Sequence, residues 1–167
     1  MKIINADISQ LWLSGKIICV TTNGFIKKNG EAVMGRGNAL VMSKLISDLP
    51  KYLGDHLKRY GNNVGFIYNN IIAFPVKPTY GTYEQLLDHI KPRFKPTDKN
   101  IPGFWCKADL SIIKNSLHNL NNLINYYQLK EIYLPVPGIG NGGISFSDVE
   151  HLLSFANNEI IFIQKNT

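Results

Sequence analysis

Pro135-Val136-Pro137-Gly138-Ile139-Gly140-Asn141-Gly142-Gly143 is the stretch that decides how this chain is read. It continues from Glu131 to Val136, an apolar run with the length and composition of a buried strand. It leads to Ser147-Asp148-Val149-Glu150, a capping-box pattern that predicts the start of a helix. A strand, a glycine-rich turn and a helix N-terminus, in that order, bring backbone N–H groups to a place where an anion can approach them without meeting a Cβ. A second glycine turn, Gly35-Arg36-Gly37, lies between a strand–loop segment and another helix. Either turn alone is better read as a tight connection. Two of them, at matching ends of two buried strands, favour a site that clamps two phosphates from opposite sides.

Working outward, short β-branched runs alternate with stretches of helical period. Ile17-Ile18-Cys19-Val20-Thr21-Thr22 reads as a buried strand and Lys2 to Ala6 as an edge strand before it. Asn38 to Asp48 reads as a helix with Leu40, Leu45, Ile46 and Leu49 on one side. Pro50 opens a second helix, with Leu53 and Leu57 facing inward and Gly61 ending it. Val64 to Tyr68 and Ile71 to Val76 form a hairpin about Asn69-Asn70, since asparagine tolerates positive φ. Asp109 to Leu129 is the clearest helix, with Leu110, Ile113, Leu117, Leu120 and Ile124 at three- and four-residue steps. Ile160 to Ile163 is a last strand. This alternation predicts an α/β fold of three layers, a mixed central sheet with helices on both faces. All of 1–167 is read as one domain, interrupted by an irregular insert at about 78–107 that carries four prolines, Pro78, Pro92, Pro96 and Pro102.

The 167 residues suit one core, and 44% hydrophobic residues can build it without disulfides. Cys19 belongs to an apolar run and Cys106 to a loop; two cysteines make neither a disulfide framework nor a zinc site, so no metal and no cofactor are expected. No run is long enough to span a membrane and the N-terminus is no signal peptide, which predicts a soluble, cytoplasmic protein. The net charge of +6 suits an anionic partner, whether nucleic acid or a phosphorylated small molecule, and equally suits scattered surface lysines.

Two common nucleotide folds are disfavoured. No glycine run ends in Gly-Lys followed by Ser or Thr, and Gly138, Gly140 and Gly142 have the wrong spacing for a dinucleotide fingerprint. The motifs instead resemble those of macro domains. Thr21-Thr22-Asn23-Gly24 with Ala32-Val33-Met34-Gly35-Arg36-Gly37-Asn38-Ala39 looks like their first ligand loop, residues 135–143 like their second, and Asn5-Ala6-Asp7-Ile8 like the Asp-Ile pair that opens them. The resemblance covers nearly the whole chain outside 78–107. It is nearest to the branch that includes DNA and glutamate ADP-ribosyl hydrolases and small phage-type macro proteins.

That resemblance implies a ligand, ADP-ribose or a derivative of it, and roles for named residues. Asp7 would accept from the adenine amino group, helped by the backbone of Ile8; as a plain residue Asp7 is a turn or cap. Asn23 would bond the distal ribose, or merely form a turn beside Gly24. Gly35, Arg36 and Gly37, with Gly138, Ile139, Gly140, Asn141, Gly142 and Gly143, would wrap the diphosphate. Phe146 would pack against the distal ribose, or lie in the core before its helix. Lys77 occupies the place of a lysine that some members of the branch use as a nucleophile at the anomeric carbon. Hydrolytic members also carry an aspartate in the second loop. Here Asn141 to Ser145 supplies none, and the helix near Ser147 takes Asp148 and Glu150 away.

Three functions follow in order of preference. The first is a binder of ADP-ribose-type nucleotides. The second is an enzyme, either an ADP-ribose 1″-phosphate phosphatase or a hydrolase that removes ADP-ribose from a macromolecule, with His56, His89, His118 and His151 as candidate proton carriers. The third is a single-strand nucleic-acid module built on Lys91, Arg93, Phe94, Lys95, Lys99, Phe104, Trp105 and Lys107, a segment that reads equally as a lid closing over adenine or as a solvated loop with aromatic anchors.

Overall fold

A computed structural model of the chain describes residues 1–165. Its elements are β1 (Lys2–Asn5), α1 (Ile8–Leu13), β2 (Ile17–Thr22), α2 (Gly37–Leu45), α3 (Leu49–Tyr60), β3 (Gly65–Tyr68), β4 (Ile71–Pro75), β5 (Tyr80–Gly81), β6 (Ile101–Pro102), α4 (Leu110–Tyr127), β7 (Ile132–Pro135), α5 (Phe146–Leu153) and β8 (Ile160–Gln164). Six strands form the main sheet in the order β1-β8-β7-β2-β4-β3. All neighbours are parallel except β3, which pairs antiparallel with β4. Strands buried on both faces need continuous apolar runs, and β4 is buried at every position. The sheet is mixed and covered on both sides. One face packs Ile113, Leu117, Leu120 and Val149 from α4 and α5 against Cys19, Phe74 and Phe162. The other packs Met42, Leu49, Leu53 and Leu57 from α2 and α3 against Ile18, Val20 and Ile71.

Local signals explain most boundaries. Asp109 caps α4, accepting from the N–H groups of Ser111 and Ile112. Pro50 sits in the first turn of α3 and Gly61 ends it at φ 74°. Asn70 turns the β3–β4 hairpin at φ 59°.

Three expectations need correction. The apolar face of α2 is Ala39 and Met42, whereas Leu45 is 44% exposed and Leu49 belongs to α3. The helix begins one residue earlier than the pattern suggested and ends at Leu45, so its inward stripe is rotated. The cap of α5 is Ser145, whose Oγ accepts from the Asp148 N–H while Asp148 accepts from the Ser145 N–H; Ser147 lies inside the helix. Leu110, placed on the inner face of α4, is 37% exposed because it is the first residue after the cap.

The stretch 78–107 is also more ordered than an irregular insert. β5 and β6 pair antiparallel, and Leu86, Ile101 and Cys106 form a small core with Tyr83, Phe94 and Trp105 against it. Backbone bonds from Leu87 N–H to Trp105 C=O (3.1 Å) and from Lys107 N–H to Gln85 C=O (2.7 Å) close it.

Candidate functional site

In this strand order β7, β2 and β4 are adjacent and parallel, so their carboxyl ends open on one edge of the sheet. The connections that leave them are the two glycine loops and the segment of Lys77. They enclose a cleft of ≈ 330 Å³, at the carboxyl edge where parallel sheets place their ligands. Thr21, Thr22, Val76 and Lys77 form its floor; Asn23 and residues 33–39 form one wall. Gly138, Ile139, Asn141 and Gly142 form the opposite wall, and Phe104 and Trp105 close the end.

The two loops meet. A Cβ on Gly37, whose φ is +59°, would lie 3.2 Å from Asn141 Nδ2. α2 starts at Gly37 and no side chain caps it, so its first turn lines the cleft without a side-chain partner for its N–H groups. Across from it, residues Gly140–Gly142 make a short 3-10 turn in which Gly142, Gly143 and Ile144 donate back to Ile139, Gly140 and Gly138. The N–H groups of Ile139, Gly140 and Asn141 are left free of that turn's own bonds.

Packing also constrains the loop glycines. A Cβ on Gly138 would fall 2.4 Å from Ile144 Cδ1, and one on Gly143 would fall 2.7 Å from Leu87 Cδ2. These two are required by packing. Gly140 and Gly143 lie in the loop but outside the cleft wall.

Asn23 lines the cleft, though its amide is already used: Nδ2 donates to Val33 C=O (3.2 Å) and Oδ1 accepts from Phe25 N–H (2.9 Å). Arg36 is at the rim with its Nη1 3.4 Å from His89 Nε2, which joins the first loop to the 78–107 segment. Asp7 sits at the carboxyl end of β1, on the same edge of the sheet but outside the cleft wall. It caps α1, accepting from the N–H groups of Ser9 and Gln10, and the Ser9 hydroxyl bond does most to hold its carboxyl below the usual range. Ile8 is buried in the core, and Phe146 is half-exposed at the start of α5; neither lines the cleft.

Among the described residues Lys77 is the one ionisable group on the floor. Its Nζ donates to Phe104 C=O (3.2 Å) and Asn141 C=O (3.4 Å). Burial lowers its pKa to about 8; the Cys106 thiol beside it opposes that shift and Arg36 adds to it. Among the described residues no Asp, Glu or His lines the cleft. Asp148 is spent on the α5 cap, His56 bonds Asn63 C=O away from the site, and His118 lies against Phe155.

The lowered pKa has a consequence for stability. The amine loses its proton near 8 when folded and near 10.5 when unfolded. The unfolded chain therefore holds the extra proton between those values, so stability rises with pH across that window. The penalty is complete below it and gone above it. Lys77→Met should raise stability at neutral pH by on the order of 1–2 kcal/mol once solvent screening is allowed for. That advantage should vanish as pH rises past the window. Thermal melts of both proteins along a pH series check it.

Several wall residues carry no individual role in the sequence reading. Asn38 ties α2 to β2, with Oδ1 accepting from Thr21 N–H (2.9 Å) and Nδ2 donating to Thr21 Oγ1 (2.8 Å). Phe104 and Trp105, in a segment that reads equally as a nucleic-acid patch, a lid or a solvated loop, line the cleft. Their neighbours are also committed: Arg93 lies over the Trp105 ring at 5.2 Å, Lys91 over Tyr83 at 5.6 Å, and Lys107 pairs with Asp88 at 3.3 Å. Lys91, Arg93 and Lys107 thus each have a partner within the segment.

The order of strands and helices is one that solved macrodomain structures share. The macrodomain of Mycobacterium tuberculosis DarG superposes with a TM-score of 0.66 at 18% identity, covering 98% of this chain and 98% of that one. The macrodomain of Thermus aquaticus DarG gives 0.64 at 16% identity, with 99% and 97% covered. Thermosipho africanus DarTG in complex with ADP-ribose gives 0.57 at 16% identity, covering 88% of this chain and 37% of that one. At such identities the likeness is one of fold: this chain has the macrodomain fold. No family model matches its sequence, and no curated protein does either. Among the described residues no helix is long and apolar enough to cross a membrane, and no cluster of His, Cys, Asp or Glu is arranged to hold a metal.

Proposed function

We propose that the protein binds ADP-ribose or an ADP-ribose-derived nucleotide in the cleft at the carboxyl edge of its sheet. The observation that carries this reading is the meeting of the two glycine loops around one cleft, with the uncapped N-terminus of α2 on one side and the free N–H groups of the 3-10 turn on the other. A diphosphate supplies the negative charge that both ends lack. Lys77 and Arg36 add positive charge, and no carboxylate in the wall opposes it. The structure of Thermosipho africanus DarTG with ADP-ribose supports the same ligand class. Calorimetry with ADP-ribose should give a Kd in the micromolar range, about −8 kcal/mol. AMP and ribose 5-phosphate should bind more weakly, since each offers one phosphate to a two-sided clamp. Absence of heat at millimolar ADP-ribose would remove the proposal.

A second reading is favoured by Lys77 itself. With a pKa of about 8, roughly a tenth of the amine is neutral at pH 7 and able to attack an anomeric carbon. That is the first step of releasing ADP-ribose from a macromolecule to which it is joined at C1″. The missing carboxylate means that the leaving group must take its proton from water or from the ligand, which makes slow turnover the expectation. The phosphatase alternative has no such support from the cleft. The two free cysteines, Cys19 and Cys106, are both buried, in keeping with a reducing, cytoplasmic setting.

A further inference from the structure

The main chain of Lys77 is held at both of its polar atoms. Its N–H donates to Thr22 C=O (3.3 Å), and its C=O accepts from Asn62 Nδ2 (2.9 Å). Asn62 lies in the turn between α3 and β3 and has no place in the cleft wall. Among the described residues two buried side-chain oxygens lack a partner, Thr22 Oγ1 and Asn62 Oδ1. Both belong to the residues that hold the Lys77 main chain. An unpaired buried oxygen is costly, and both of these sit where the Lys77 main chain is held. The slot around Asn62 is tight: a Cβ on Gly24 would fall 2.2 Å from Thr79 Oγ1 and 2.9 Å from Asn62 Cγ.

We infer that Asn62 is a positioning residue for Lys77, clamping its carbonyl so that the amine stays in the floor of the cleft instead of turning to solvent. The inference rests on the reading of Lys77 as the amine that faces the distal ribose. Asn62 acts through the backbone, since the groups that face the amine are others. These are Arg36 from the first loop, Cys106 from the 78–107 segment, and the carbonyls of Phe104 and Asn141. Releasing the clamp lets water reach the amine and restores its ordinary proton affinity.

The test is competitive acetylation of the intact protein with acetic anhydride along a pH series, read lysine by lysine by mass spectrometry. The wild-type Lys77 midpoint should fall at about 8. In Asn62→Ala it should rise by about one unit or more, with melting still cooperative; Asn62→Ser gives the same reading if the alanine variant does not fold. An unchanged midpoint in either folded variant overturns the inference. So does a shift seen with Asn62→Asp alone, which would be a charge effect, and so does unfolding of both small variants, which would make Asn62 merely structural. ADP-ribose affinity measured on the same proteins keeps the two readings apart. Loss of wild-type binding would sink the cleft proposal and leave the acetylation result standing.

Discussion

Gly35→Val is expected to abolish ADP-ribose binding while leaving the protein folded. Gly35 lines the cleft, its φ is not in the left-handed region, and a Cβ there would meet only Val33 Cγ1, at 4.0 Å. The branched side chain therefore meets no left-handed backbone strain there. Gly35 stands in the cleft wall, and the proposed diphosphate would lie beside it. Two methyl groups there exclude a phosphate oxygen from the N–H groups of α2, and a loss of at least about 100-fold, or ~2.7 kcal/mol, is expected. The melting temperature should move by no more than about 2 °C. Gly140 is a poorer site for the same test. A substitution there projects into open space but must adopt a φ of +65°, and the residue lies outside the cleft wall. Calorimetry and a thermal melt on Gly35→Val decide the matter together, and unchanged affinity would show that the diphosphate does not lie between the loops.

The second large effect is on stability. Gly103→Ala places a Cβ 1.6 Å from the Pro78 carbonyl oxygen and 2.5 Å from its carbon. Both are backbone atoms, so neither can swing aside. Gly103 N–H also donates to Thr79 C=O at 2.8 Å, which seats β6 beside β5. The variant must push these segments apart, at about 3 kcal/mol or more, or roughly 6–12 °C in melting temperature. The next residues are Phe104 and Trp105, the end wall of the cleft, and Phe104 C=O accepts from Lys77. ADP-ribose affinity should fall about tenfold as that wall shifts. A wild-type melting curve would mean that the 78–107 segment is not seated on Pro78 and Thr79 as described.

Both predictions depend on residues whose meaning the sequence stated unevenly. The glycine loops were legible because strand, glycine turn and helix start follow one another along the chain. Buried strands such as Ile17 to Thr22 were legible from β-branched composition, and α4 from its period. Asp7 was ambiguous: an aspartate after a strand serves a cap and a ligand equally well in sequence, and here it caps α1. The 78–107 segment was opaque. Its short strands and turns have no period, and its small core joins Leu86 with Ile101 and Cys106, residues far apart in the chain.

By itself, then, the amino-acid order determined what depends on near neighbours: strand and helix runs, their caps, and two turns able to expose backbone N–H groups. Those are energies of adjacent residues, and they are present before the chain closes. Only the tertiary structure decided that β7, β2 and β4 lie side by side, which brings Gly37 to Asn141 and sets Lys77 beneath them. Strand order is chosen by the burial of whole faces, so Asn38, Asn62, Phe104 and Trp105 acquired their places from contacts that no local pattern records.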